Sequence, residues 1–187
     1  MINDPQLLVQ SKLVPAAFLT PQRMEALSDA ALSAALAKAK ADMKGVMFTA
    51  RAMLPSDLGE TNEIWADQTG GSGNARENSI IAAQAVADDT WVGIYGLIDT
   101  SAAQYISYIE WSIGSGVRAR WSVFDYWSED TRIEARTAYA LNPIVITKSI
   151  AATIVYYIMG AAGTSQSTHI AYLGWVVEKA GTIINPA

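Results

Sequence analysis

Residues able to do acid–base or nucleophilic chemistry are few in this 187-residue chain, which has one histidine and no cysteine. An imidazole works as a general base only beside a positioned nucleophile and an orienting carboxylate. No Gly-x-Ser-x-Gly elbow is present to offer that nucleophile. The histidine, His169, follows Thr168 where a strand is predicted to begin, so its plainer role is a strand-end side chain. The acids fall in small groups: Asp88 with Asp89, Asp125 with Glu129 and Asp130, and Glu110 alone. Two carboxylates facing each other across a cleft would make a glycosidase pair. Adjacent acids between strands are more simply solvated turn residues. No Asp-x-Asp-x-Asp loop is present for calcium, and without thiolates only carboxylates remain to join His169 around another metal. Gly70, Gly71 and Gly73 mark a flexible loop but lack the lysine and spacing of a phosphate-binding loop. The expectation is therefore no catalytic residue, no metal ligand and no cofactor.

The aromatic residues are more informative. Trp91, Trp111, Trp121, Trp127 and Trp175 all fall on predicted strands. On an exposed sheet face, Trp111, Trp121, Tyr126 and Trp127 could stack on sugar rings or meet a neighbouring subunit. Inside a sandwich the same rings fill the core. Charged residues make up 17% of the chain and hydrophobic residues 51%, where an ordinary domain is about 25% charged. Core and subunit interface are thus the favoured places for these rings. An uncharged surface suits a subunit hidden in an assembly; a compact monomer with a Ser/Thr/Gly exterior is the other reading of this composition.

Net charge is −5, and the 13 Lys and Arg residues are scattered, so no nucleic-acid footprint is predicted. The N-terminus shows no basic region ahead of an apolar run, as a secretory leader would. No stretch reaches the ~18–20 apolar residues of a membrane helix. Lys148, Ser149 and Thr153 interrupt the best candidate, residues 144–159, and no membrane span is expected.

The elements that must position these side chains divide at about residue 45. Residues 1–19 read as an apolar arm, with Leu7, Leu8, Leu13 and Phe18 as candidate contacts; Pro5 and Pro15 prevent one continuous helix. The arm either lies on a neighbour or folds back on its own core. Thr20 is a helix cap and Pro21 a first-turn residue. Met24, Leu27, Ala31, Leu32, Ala35 and Leu36 recur at helical spacing, predicting one helix or two within residues 21–43, stopped by Gly45. From residue 46 the apolar period becomes two. Strands are predicted at 46–54, 63–66, 91–98, 104–113, 117–127 and 131–140, with Gly93 and Gly96 marking close packing or a bulge. Gly114 and Gly116 signal a hairpin. Two long strands, 143–159 and 168–178, read as a terminal hairpin. The predicted fold is mainly β: a two-sheet antiparallel sandwich of jelly-roll type with an N-terminal α-helical arm. Arm and helix occupy residues 1–44 and the sandwich 45–187.

The order of arm, short helical segment and strand-rich body, with the runs at 51–59 and 172–184, resembles single jelly-roll virion structural proteins. These are the capsid and decoration proteins of bacterial and archaeal viruses. The resemblance covers residues 46–184 in pattern. It implies a non-enzymatic virion component, a capsid subunit or a decoration or minor capsid protein, assembled in the host cytoplasm. Such a protein associates with itself, as trimers or larger rings, and with other capsid proteins. The alternative is a carbohydrate-binding β-sandwich module using exposed Trp or Tyr.

Overall fold

A computed structural model describes residues 13–59, 68–70, 77–79, 86–101, 106–114, 116–122, 136–148, 150, 152–158 and 166–181. The Thr20 hydroxyl accepts the Arg23 N–H at 3.2 Å, and Pro21 opens helix α1 (Pro21–Asp42). The helix is uninterrupted; Ser28 and Asp29 do not divide it. Its buried residues are Leu27, Ala31, Ala35 and Ala39, one stripe at helical spacing.

Among the described residues eleven strands accompany it: β1 (Leu13–Pro15), β2 (Phe48–Ala52), β3 (Gln68–Gly70), β4 (Glu77–Ser79), β5 (Thr90–Asp99), β6 (Ile106–Ile113), β7 (Gly116–Ser122), β8 (Thr137–Ile146), β9 (Ala152–Ile158), β10 (Gln166–Thr168) and β11 (Ile170–Lys179). One sheet has the order β1-β8-β5-β11-β2, a second β4-β9-β6-β7, and β3 with β10 forms a two-stranded ribbon. Apart from β1, β3 and β10, the strands pair in a nest: β2 with β11, β4 with β9, β5 with β8, and β6 with β7, all antiparallel. Successive pairs alternate between the two sheets, joined by β5–β11 and β6–β9. This is one long antiparallel ribbon rolled on itself, the jelly-roll order. Gly114 makes the β6–β7 turn at φ +63°, a backbone region that disfavours a side chain.

The terminal hairpin is not formed. Residues 143–159 divide between β8 and β9, which lie in different sheets, and β11 pairs with β5 and β2 instead. The chain turns at Thr147 and Lys148, with Ile150 N–H donating to the Thr147 carbonyl at 3.2 Å. The apolar runs on either side conceal this corner, where a polar pair marks the crossing between sheets. The expected strand at 63–66 lies outside the described residues.

Between the sheets the core is aliphatic and aromatic. Ile94, Leu97 and Ile146 come from one sheet, and Ile109, Trp111, Trp121 and Ile154 from the other. Tyr156 on β9 and Tyr172 on β11 join hydroxyls at 2.6 Å, linking the two sheets across the core. A bulge at Tyr95, between Ile94 and Gly96, switches side-chain parity on β5. That is why Ile94 and Leu97, three positions apart, both enter the core.

The helix covers the opposite face of the five-stranded sheet. A Cβ at Gly93 would lie 2.5 Å from the Ala31 carbonyl oxygen, so strand and helix backbones touch there. Trp91 and Trp175 donate their indole N–H groups to Asp42 and Ser28, each at 2.8 Å. Replacing Gly93 by Ala forces the helix off the sheet. Urea unfolding is expected to show a loss of about 1–3 kcal/mol, while Ala37→Ser on the exposed helix side stays within roughly 0.5 kcal/mol.

Candidate interaction surface

One sheet carries its own helix; among the described residues no helix lies on the outer face of the other. On that face period-two alternation lifts Tyr108 and Glu110 from β6, Arg120 from β7 and Tyr157 from β9, while Ile109, Trp111, Trp121 and Tyr156 point inward. Tyr108 and Tyr157 are register partners, and their rings stack with centroids 3.9 Å apart and planes 18° from parallel. Arg120 and Glu110 are likewise paired across strands, with Nε to Oε2 at 2.8 Å. The Arg120 guanidinium carbon lies 5.8 Å from the centre of the Tyr108 ring. The Tyr157 hydroxyl reaches toward the same Glu110 oxygen at 3.5 Å, a distance at the weak limit.

The electrostatics hold this patch in one charge state. Its hydrogen bond to Glu110 pushes the Arg120 guanidinium further up, ahead of the opposing effect of burial. Burial, then Tyr157, pushes the Tyr108 phenol up from its ordinary value. A neutral Tyr108 phenol and a charged Arg120 are therefore the state over any ordinary pH. Arg120 is more than half exposed, so the ion pair orients side chains more than it stabilises the fold. Tyr108 has Tyr157 stacked on its ring and Arg120 near it as well, which leaves little of its π surface for a sugar. A set of partly exposed Tyr and Arg side chains is the composition of a protein–protein contact.

A second polar group closes the rim where β5 ends and β11 begins. The Thr100 N–H donates to the His169 carbonyl at 2.9 Å, and the Thr100 hydroxyl meets His169 Nδ1. The His169 N–H donates to Ser101 Oγ at 2.9 Å, the Ser101 N–H to Asp99 Oδ1 at 2.9 Å, and Arg136 Nη1 to the Ser101 carbonyl at 2.6 Å. Serine, histidine and aspartate thus meet, but not as a relay: Ser101 bonds the histidine backbone, and the ring bonds Thr100. The network fastens strand ends. Among the described residues no three His, Asp or Glu side chains gather as metal ligands would.

Several expected site residues sit elsewhere. Trp111 and Trp121 are fully buried and pack 5.2 Å apart, with Tyr172 5.0 Å from Trp111. They have no surface from which to stack on a glycan or a neighbour, because their strand parity is that of the core. Leu13 is buried and pairs with Ala140 through β1, so this part of the arm folds onto its own sheet. Phe18 stands 80% exposed. Leu7, Leu8, Tyr126 and Trp127 lie outside the described residues, as do Asp125, Glu129 and Asp130. Glu110 is an ion-pair partner, and Asp88 and Asp89 form the turn before β5. Tyr108, Tyr157, Arg120 and Asp99 were not expected as site residues; once Trp111 is placed inward, alternation along β6 alone puts Tyr108 outward.

No family model and no curated protein matches the chain. Among solved structures, a chain in the structure of infectious bursal disease virus Gt strain is similar at 11% identity and a TM-score of 0.32, over 73% of this chain and 33% of that one. The present chain thus corresponds to a third of the length of the one it matches, and at that score the likeness carries no argument about function.

Asp99 gives a pH test. Burial pushes its carboxyl up, outweighing the lowering by Ser101, Arg136 and His169. The folded carboxyl holds its proton more tightly than the unfolded one, so ionisation costs stability at neutral pH. That cost fades as pH falls toward about 4. Asp99→Asn keeps an acceptor for the Ser101 N–H. It is expected to be at least as stable as the parent at neutral pH, with the difference shrinking on acidification. Denaturant melts across that range measure this, and a less stable Asn variant at neutral pH would mean the charge itself is used.

Proposed function

We propose that this protein is a structural component of a virus particle, a capsid subunit or a protein attached to the capsid, which associates with copies of itself. The observation that carries this reading is the pairing of a jelly-roll strand order with one sheet that is capped and one that, among the described residues, is not. The helix closes the outer face of the five-stranded sheet, and the other sheet presents the Tyr108–Tyr157–Arg120 patch. Jelly rolls occur in capsid proteins and in lectins, and fold alone does not choose between them. The filled surroundings of Tyr108 favour a protein partner over a sugar. Phe18, exposed at the root of the arm, marks a second contact with a neighbour or an underlying shell. A contact of ordinary size buries ~1,600 Å² in total, and many modest copies add up in a closed lattice.

Light scattering of the purified chain is expected to give masses that are multiples of 20.1 kDa, and negative-stain images regular particles. Tyr157→Ala and Arg120→Glu should keep the circular dichroism of the parent and weaken association roughly tenfold or more. Removal of residues 1–12 keeps β1 and should leave a folded body that no longer builds large particles. A chain that stays monomeric at every concentration reached, with its fold intact, overturns the reading.

A further inference from the structure

Every open sheet has edge strands whose outer N–H and C=O groups are templates for unwanted pairing, and proteins blunt them. Three of the edges here are blunted. β1 and β4 are three residues long. Beyond Ala140, where pairing with β1 stops, β8 loses register with β5 and contains Pro143, which has no N–H to offer.

β2 has none of these devices. It is five residues long, with neither proline nor lysine, and Thr49, Ala50 and Ala52 are exposed. Its one charge is turned back on its own chain. Arg51 donates Nη1 and Nη2 to Asp57 at 2.7 and 2.6 Å, Nε to Glu178 at 2.7 Å and Nη1 also to the Ala52 carbonyl at 3.2 Å. Among the described residues only β11 pairs with β2. Two of the four large hydrophobics exposed among the described residues flank it: Met47, 78% exposed, precedes the strand, and Leu54, 38% exposed, follows it.

We propose that β2 is the strand through which two copies of this chain pair, antiparallel, about a two-fold axis at Ala50. The five-stranded sheet then runs on from one copy into the next. A self-complementary edge is what a two-fold contact requires. Ala50 meets the partner's Ala50, Phe48 meets the partner's Ala52, and Arg51 faces the partner's Thr49 rather than a second charge. In this register Met47 falls beside the partner's Met53 and the partner's Leu54, so the exposed side chains at both ends of the strand are covered together. This contact rests on the self-association reading above and names the surface that begins it.

The test uses the full-length chain, whose lack of cysteine makes a single thiol unambiguous. Directly opposed Cβ atoms in an antiparallel pair lie about 4.5–5.5 Å apart, close to the reach of a disulfide. Under mild oxidation Ala50→Cys is expected to cross-link into dimers, and Ala37→Cys on the exposed helix is not. Ala50→Lys, which sets like charges against each other across the axis, should lose the dimer while keeping the circular dichroism of the parent. Cross-linking of Ala50→Cys no greater than that of Ala37→Cys, or a mass unchanged by Ala50→Lys, overturns the pairing. Particles that form without Ala50 cross-linking remove this edge but leave the virion reading standing. Dimers that cross-link but never grow support the edge and remove the shell role.

Discussion

The touch of the Ala31 backbone on Gly93 constrains everything around it. A helix seated this close to β5 seals the five-stranded sheet on both sides, alanines outside and aromatics within. β5 is consequently buried along nearly its whole length, and its residues have no solvent face to reserve for polar side chains. Alanines bury little area each, so proximity and two indole hydrogen bonds do what bulk does not. Each such bond contributes on the order of 1 kcal/mol net. An asymmetry follows among the described residues: one sheet is covered on both faces, and the other has no helix on its outer face.

The core shows the same economy of polar groups. Two tyrosines satisfy each other across the gap between the sheets. Trp111, Trp121 and Tyr172 meet edge to face or at a tilt, the arrangement that ring quadrupoles favour. Large aromatics fill the middle of the sandwich, and the partly exposed Tyr108 and Tyr157 on its outer face carry hydroxyls that tolerate water.

Much of this architecture was legible in the residues. Thr20 and Pro21 announced the helix, Gly114 and Gly116 the β6–β7 turn, and Gly93 and Gly96 the close approach and the bulge. Each works through a local rule, a cap, a positive φ or a missing Cβ, which needs no knowledge of the rest of the fold. The division of residues 143–159 was hidden because β8 and β9 are both apolar and the corner between them is short. The inward placement of Trp111 and Trp121 was equally hidden, because alternation separates two faces without saying which one is covered. Only the opposing sheet decides that, and it is distant in sequence: Tyr172 of β11 packs against Trp111 and Trp121. The Arg51 clamp has the same cause, joining Asp57 nearby to Glu178 at the far end of the chain.

The position of β11 has a consequence for how the molecule comes into being. β11 lies between β2 and β5, so β2 waits for a strand far later in the sequence before it gains this neighbour. Contacts this remote in sequence are slow to close. The β6–β7 hairpin closes locally, but the larger sheet is completed only once β11 is in place. Until then β2 has no partner among the described strands and is open on both of its edges.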